Sequence, residues 1–409
     1  MQLLYARCAG LDVHARQVVA CARMVVNHTV TYHHLTVPTT TRGLLELADW
    51  LTGHEVTHVA MEATGVYWKP VWHVLEGQFD LLLANAQHVR NVPGRKSDVK
   101  DAQWLADLLA VGLIRGSFVP PAPVQELRDL TRTRKQLVRE VGRHTQRVQK
   151  ILEDANIKLT ETVSEILGLS GRAILQALIA GETDPERLAA LTSGRLKASH
   201  GQLVDALQGR VTAHHRFMLK LHLEQIEAIE TGVTALEQRV SEALAPFRAA
   251  RDLLMTMPGV AGTVAAVLLA EIGDDISPFP TAAHLVSWAG FAPRLDESAG
   301  KRRSTRTRPS APWLKTTMVQ AAWSAARTKD SYFHAQFARL KSRRGPKKAI
   351  MAVAASMLTA VYHMLRDGVE FHDLGSQHFA HHDKEQITKR LLRRLRDLGV
   401  EVEVKEKAA

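Results

Sequence analysis

LYARCAGLDV, residues 4–13, reads as a buried strand that ends in an acid, and THVAME, residues 57–62, repeats that design fifty residues on. Between them, RQVVACARM (16–24) and TVTYHHLTV (29–37) are two further β-rich runs, and residues 39–51 place leucines at helical spacing. Downstream, residues 65–75 read as a helix, FDLLLA (79–84) as a fifth strand, and about 98–111 as another helix after Pro93 and Gly94. The order β-β-β-α-β-α-β-α predicts a mixed sheet with helices packed on it.

Pro120, Pro121 and Pro123 mark a boundary. Beyond it, about 124–157 and 216–244 are two long charged helical patterns with apolar seams, read as an antiparallel pair able to form a coiled coil that joins subunits. A shorter helical insert, 161–207, separates them, and a third helical block runs from about Leu253 to Asp367. The expected domains are therefore 1–122, 123–250 and 251–370, followed by a His- and Arg-rich tail, 371–409.

The net charge is +11, and it is concentrated. Residues 294–348 hold 15 Lys/Arg against Asp296, Glu297 and Asp330, a net of +12, so the rest of the chain is near neutral. A clustered positive field is what a phosphate backbone requires, whereas a solubilising surface alternates its signs. No apolar run reaches the roughly 18 residues a membrane span needs, and Met1 to Cys8 lacks a signal-peptide layout. Cys8 and Cys21 read as small buried residues of a reducing compartment, so the cytoplasm is the expected location and no membrane partner is expected.

The chemistry is expected at the acids. Phosphoryl transfer uses divalent cations held by oxygen ligands that converge from elements distant in sequence. Asp12 and Glu62 stand at strand ends that can lie side by side, while Asp98 and Asp101 are three apart at a helix start and share a face. Each has a plainer role: Asp98 and Asp101 as helix-terminal acids, Asp12 as a turn residue. Their conjunction is more specific than any member. His33-His34, His214-His215 and His378, His381 and His382 lack cysteines at zinc spacing and read as solvated loops. There is no phosphate-loop motif for ATP, and Trp68 and Trp72, four apart, read as core.

GLDVHA, AMEATGVYW and GRKSDVKDAQWLADLL resemble the N-terminal DEDD domain of the insertion-sequence family 110 transposases, a domain similar to the RuvC-type junction resolvases of RNase H-like fold. The resemblance implies that Asp12, Glu62, Asp98 and Asp101 are the family's metal-site acids, binding Mg²⁺ or Mn²⁺.

In the third block, MPGVAGTVAAVLLAEIG (257–273) resembles a helix-hairpin-helix turn whose Gly259 and Gly262 can bring backbone N–H groups to a phosphate; an ordinary tight turn is the other reading. Lys301, Arg302, Arg303, Arg306 and Arg308 form a basic run bounded by Gly300 and Pro309, read as a loop or hairpin held against phosphates. On chemistry alone Ser298, Ser304 and Ser310 are equal candidates for a nucleophile, and a serine beside glycine is more often a turn residue. SWAGFAP followed by ESAGKRRS is similar to the C-terminal domain of the same family, and this resemblance implies that Ser298 is the serine that links covalently to DNA. It further implies double-stranded DNA partners (element ends and target), a structured noncoding bridge RNA, and dimers or tetramers in which acids of one subunit meet the serine of another.

Two other functions fit the residues less fully. A metal-dependent junction resolvase or nuclease would keep the acids and use Ser298 only as a phosphate contact. A non-catalytic nucleic-acid-binding coiled-coil scaffold would need neither.

Overall fold

The computed structural model describes residues 3–63, 65–85, 89, 101–114, 116–193, 198–293, 296–304, 306–307, 311–379 and 384–400. The chain divides into two compact units, Met1–Val119 and Pro120–Ala409.

The first unit is a five-stranded sheet. Its strands are β1 (Arg7–Val13), β2 (Gln17–Val26), β3 (Thr29–Pro38), β4 (His58–Glu62) and β5 (Asp80–Ala84), in the spatial order β3-β2-β1-β4-β5. The first three pair antiparallel through tight connections, while β1, β4 and β5 run parallel. Parallel neighbours need crossovers, and α1 (Thr41–Gly53) and α2 (Trp68–Leu75) supply them. Thr40 caps α1 through its hydroxyl, which accepts from the Gly43 N–H at 3.3 Å.

The central strand β1 is buried on both faces, which accounts for its near-continuous apolar run. Ala9, Leu11 and Val13 join Val59, Met61, Leu47 and Leu51 in one core. Trp68 and Trp72 pack against that core, as expected. Cys8, on the other face, packs with Ala60, Ala84, Leu105 and Leu109 under α3 (Asp101–Ala110). Both cysteines are buried, as expected.

The second unit is mainly helical. Helix α4 (Ala122–Asp154) lies antiparallel to a helix of similar length, and the pairs Arg134–Glu237, His144–His222 and Asp154–His215 fix that direction. Between the two come α5 (Leu159–Thr162), α6 (Leu169–Ala180), α7 (Pro185–Ala190) and α8 (His200–Leu207); the returning helix is α9 (Ala213–Ala243). Apolar residues of the insert pack with Val148, Leu152, Leu219 and Ile226 at one end of the pair.

A 3₁₀ turn (Ala245–Phe247) leads to α10 (Arg248–Met255), α11 (Gly262–Ile272) and α12 (Ala282–Trp288). The strands β6 (Asp296–Ser298) and β7 (Lys301–Ser304) interrupt the helices of this block. They are followed by α13 (Pro312–Ala325), α14 (Tyr332–Arg344), α15 (Pro346–Asp367) and α16 (Lys384–Asp397).

The expectation that no segment is long and apolar enough for a membrane span needs correction. By length and composition α15 qualifies, because Ala, Met and Val are spaced along it with few charges. Half of its apolar window is buried within the protein, where Ile350, Val353, Met357 and Val361 form core. A helix apolar around most of its circumference suits the centre of a helical core as well as a bilayer.

Candidate active site

Parallel pairing of β1 and β4 sets Leu11 opposite Met61. One residue further along each strand stand Asp12 and Glu62, so the two acids end adjacent strands on the same side of the sheet. Side chains alternate along a strand. Leu11 and Met61 fill one core, so Asp12 and Glu62 project from the opposite face, the one covered by α3. Both acids are partly exposed. The Oδ2 of Asp12 lies 3.0 Å from the Nε2 of His14.

Helix α3 crosses this face at Gly10. A Cβ there would overlap the Ala102 carbonyl and stand 2.6 Å from the Ala106 nitrogen, so only glycine allows the approach. Because Ala102 sits directly on β1 two residues before Asp12, the helix start at Asp101 is brought to the carboxylate end of the strand. Cys8 donates to the Ala106 carbonyl at 3.5 Å, and burial pushes its thiol pKa up to about 11. At the far end of α3, Asp107 accepts from Arg23 Nε at 2.9 Å and from the Tyr32 hydroxyl at 2.8 Å, which ties the helix to β2 and β3. Burial, then the bond to Asp107, raises the pKa of Tyr32. Sequence reading missed this clamp; a lone acid in the apolar LADLL run was its only local signal.

The structure therefore brings Asp12, Glu62 and the start of α3 to one end of the sheet. Asp98 lies outside the described residues. Among the described residues, no three His, Cys, Asp or Glu side chains gather closely enough to hold a metal ion. What is present is a pair of carboxylates on neighbouring strands, with the His14 imidazole beside Asp12; carboxylate oxygens suit hard divalent cations.

The second group of expected residues lies on β6 and β7. Ser298 pairs with Lys301 across a two-residue turn in which Ala299 (φ 50°) and Gly300 (φ 73°) are both left-handed, the geometry that favours tight hairpins. Lys301 and Arg306 are exposed, and the Arg306 N–H donates to the Ser304 hydroxyl at 3.2 Å. Arg302 and Arg303 lie on β7; Arg308 and Ser310 fall outside the described residues.

Gly259 and Gly262 differ. Gly259 (φ 84°) faces α13, where a Cβ would overlap the Ala321 carbonyl and stand 2.9 Å from the Ala325 nitrogen, so its role is close packing. Gly262 opens α11 with nothing within 4 Å of an added Cβ.

A buried ion pair also escaped the sequence reading. Glu271 of α11 is 1% exposed and takes both its oxygens to Arg132 of α4 at 2.8 Å. Arg128 donates to the Ala270 and Glu271 carbonyls at 3.0 and 2.7 Å. Burial lowers the pKa of Arg128, and Glu271 opposes that shift.

Two family models match the chain, both describing transposases. The DEDD transposase model of IS110 matches residues 9–157, which takes in the whole strand-end geometry. The model of the IS116/IS110/IS902 transposase family matches residues 251–338, which takes in β6, β7 and the Gly259 turn. The chain thus belongs among transposases that carry an N-terminal DEDD region. More narrowly, it is a member of the IS110 family of insertion-sequence transposases.

The chain is 34% identical over 173 residues to the uncharacterized 43.6 kDa protein of insertion element IS110 of Streptomyces coelicolor, covering 41% of this chain and 37% of that one. It is 25% identical over 261 residues to a protein with a transposase name, y4rJ, of Sinorhizobium fredii, covering 61% of this chain and 60% of that one. It is also 25% identical over 330 residues to the uncharacterized 42 kDa protein of insertion element IS900 of Mycobacterium paratuberculosis, covering 71% and 80%. The matches thus span less than two thirds of the length of the first two relatives.

Proposed function

We propose that this chain is a recombinase that cuts and rejoins DNA at the ends of an insertion element. The sheet acids activate the reaction, and Ser298 forms a transient bond to DNA. The observation that carries this reading is the β1–β4 register, which sets Asp12 and Glu62 side by side beneath α3. The order β3-β2-β1-β4-β5, with its first three strands antiparallel, supports an RNase H-like, RuvC-type fold for this unit. The long helices between about 123 and 250 act as a coiled-coil region, and 251–370 as the serine-bearing domain.

Asp12, Glu62 and Asp101, with Asp98, would hold Mg²⁺ or Mn²⁺, which when bound supplies Lewis-acid stabilisation of phosphate oxygens. The protein's own groups do the rest. Lys301, Arg302, Arg303, Arg306 and Arg308 neutralise the backbone, and the start of α11 at Gly262 offers backbone N–H groups to a phosphate. The Ser298 hydroxyl gives up its proton as its oxygen bonds to phosphorus, the bond to one bridging oxygen breaks, and the departing alkoxide takes up a proton to leave as a strand-end hydroxyl. Attack by another strand's hydroxyl on the serine-linked phosphorus releases Ser298 and completes the joint. A structured noncoding RNA that pairs with element ends and target supplies sequence choice. The protein works as a dimer or tetramer in the cytoplasm; Phe217 and Leu221, exposed four residues apart on α9, support contact between subunits there.

The test is to mix protein, element-end DNA and its RNA with Mg²⁺, denature, and look for a protein–DNA adduct. An adduct in the wild type and none in Ser298→Ala is expected. Equal, adduct-free cleavage by both would replace this reading with a junction resolvase.

A further inference from the structure

A cavity of about 870 Å³ opens in the second unit among α4, α9, α10, α11 and α13, within the roughly 300–1,000 Å³ of small-ligand sites. One wall is apolar, formed by Val138, Val240, Leu244 and Val267. Four cations line it: Arg134, Lys135, Arg139 and Arg251. Two are already matched, Arg134 with Glu237 at 2.9 Å and Arg251 with Asp252 at 2.8 Å.

Lys135 and Arg139 have no carboxylate partner among the described residues. Lys135 donates only to neutral oxygens, including the Thr316 and Thr317 hydroxyls at 2.6 and 3.2 Å. Arg139 lies 5.2 Å from the centre of the Trp313 ring, on which Lys135 also sits at 5.9 Å. Burial, and then Arg139 beside it, lowers the pKa of Lys135. Lys135 is half-buried and Arg139 stands exposed beside it; the acid whose charge reaches Lys135, Glu271, is already paired with Arg132, so an anion between the two cations is favoured. The first turn of α11, Gly262 and Thr263, faces the same space, and its N-cap, Ala261, offers no side-chain acceptor. The positive end of that helix adds to the field.

An anion carried on an apolar body matches this arrangement, and among anions a phosphate can accept from both side chains and the helix end at once. We infer that the cavity is a second phosphate-binding site, apart from the β6–β7 hairpin. It takes a phosphodiester of a nucleic-acid strand with its nucleoside against the apolar wall. The inference rests on the proposed nucleic-acid function and adds Lys135 and Arg139 to it.

Gly262→Asp is the decisive variant. There is open space for its side chain, and an acid at the first turn favours the helix, so the fold is retained while a negative charge enters the site. With a short fluorescent oligonucleotide, anisotropy is expected to show about tenfold weaker binding in Gly262→Asp and in Arg139→Gln, with unchanged circular dichroism. Arg139→Gln should also lower the salt slope by about one. Wild-type affinity in both variants, while Lys301→Gln and Arg306→Gln still weaken binding, overturns the cavity site and leaves the nucleic-acid function standing. No binding of any oligonucleotide by the wild type overturns both. Full competition by a nucleoside monophosphate would keep the phosphate site and assign it to a free nucleotide.

Discussion

Asp12 and Glu62 are fifty residues apart in the chain and neighbours in the sheet, whereas Ser298 and Lys301 face each other across a turn of two residues. The acids owe their place to three separate elements: β1, β4 and the helix α3 that settles on Gly10. The serine owes its place to Ala299 and Gly300, both left-handed, and to short strands that end at the isolated bridge Pro293–Thr307. A turn of the same kind, Asn27-His28, joins β2 and β3, but there it feeds ten-residue strands that enter the sheet. A carboxylate site of this kind is a product of packing and fails when packing fails. A hairpin site is a product of local backbone preference and is perturbed locally.

The strongest way to break the comparison is at the acids themselves. Asp12→Asn removes a charge from a partly exposed strand end, so melting should be unchanged while DNA cleavage falls by at least about a hundredfold. Cleavage near the wild-type rate would show that the sheet end is not the site.

Paired glycine variants sharpen the contrast between packing and turn. Gly10→Ala forces a methyl into the backbone of α3 and should cost about 3 kcal/mol, read as a lower denaturant midpoint together with lost cleavage. Gly300→Ala meets open space and suffers only from its left-handed backbone, at about 1 kcal/mol. Equal costs would mean that α3 does not depend on close approach to β1.

The smallest effect concerns pH. Cys8 rises from 9.0 to about 11 on folding, chiefly through burial under α3. The folded state therefore keeps a proton that the unfolded state releases between these values, and stability declines as pH rises through that window. The decline should reach about 1 kcal/mol at pH 10 and disappear in Cys8→Ala. A pH profile identical in wild type and variant would indicate that the thiol is accessible.

Strand patterns were legible because both faces of β1 and β4 are apolar and an acid stands at the end of β4 and one residue before the end of β1. The expected run 4–13 became Arg7–Val13, and 57–62 became His58–Glu62. Helix α15 was less legible as a core element, since a hydrophobic circumference reads alike for a bilayer and for a helical interior. The Arg23–Asp107–Tyr32 clamp and the Glu271 ion pair with Arg132 left almost no local trace, because each joins residues 75 or more apart. A charge in an apolar run says that a partner exists and not which one.

By itself the sequence determined the order of strands and helices, the acids at two strand ends, the basic run behind Ser298 and the family to which they belong. These are set by residue periodicity, turn chemistry and short motifs, all of which act over a few residues. Only the tertiary structure decided that Asp12 and Glu62 lie on neighbouring parallel strands, that Gly10 is glycine to admit α3, and that Lys135 and Arg139 share a cavity with the start of α11. Those juxtapositions depend on strand order and helix packing, which join residues too far apart for any local pattern to specify.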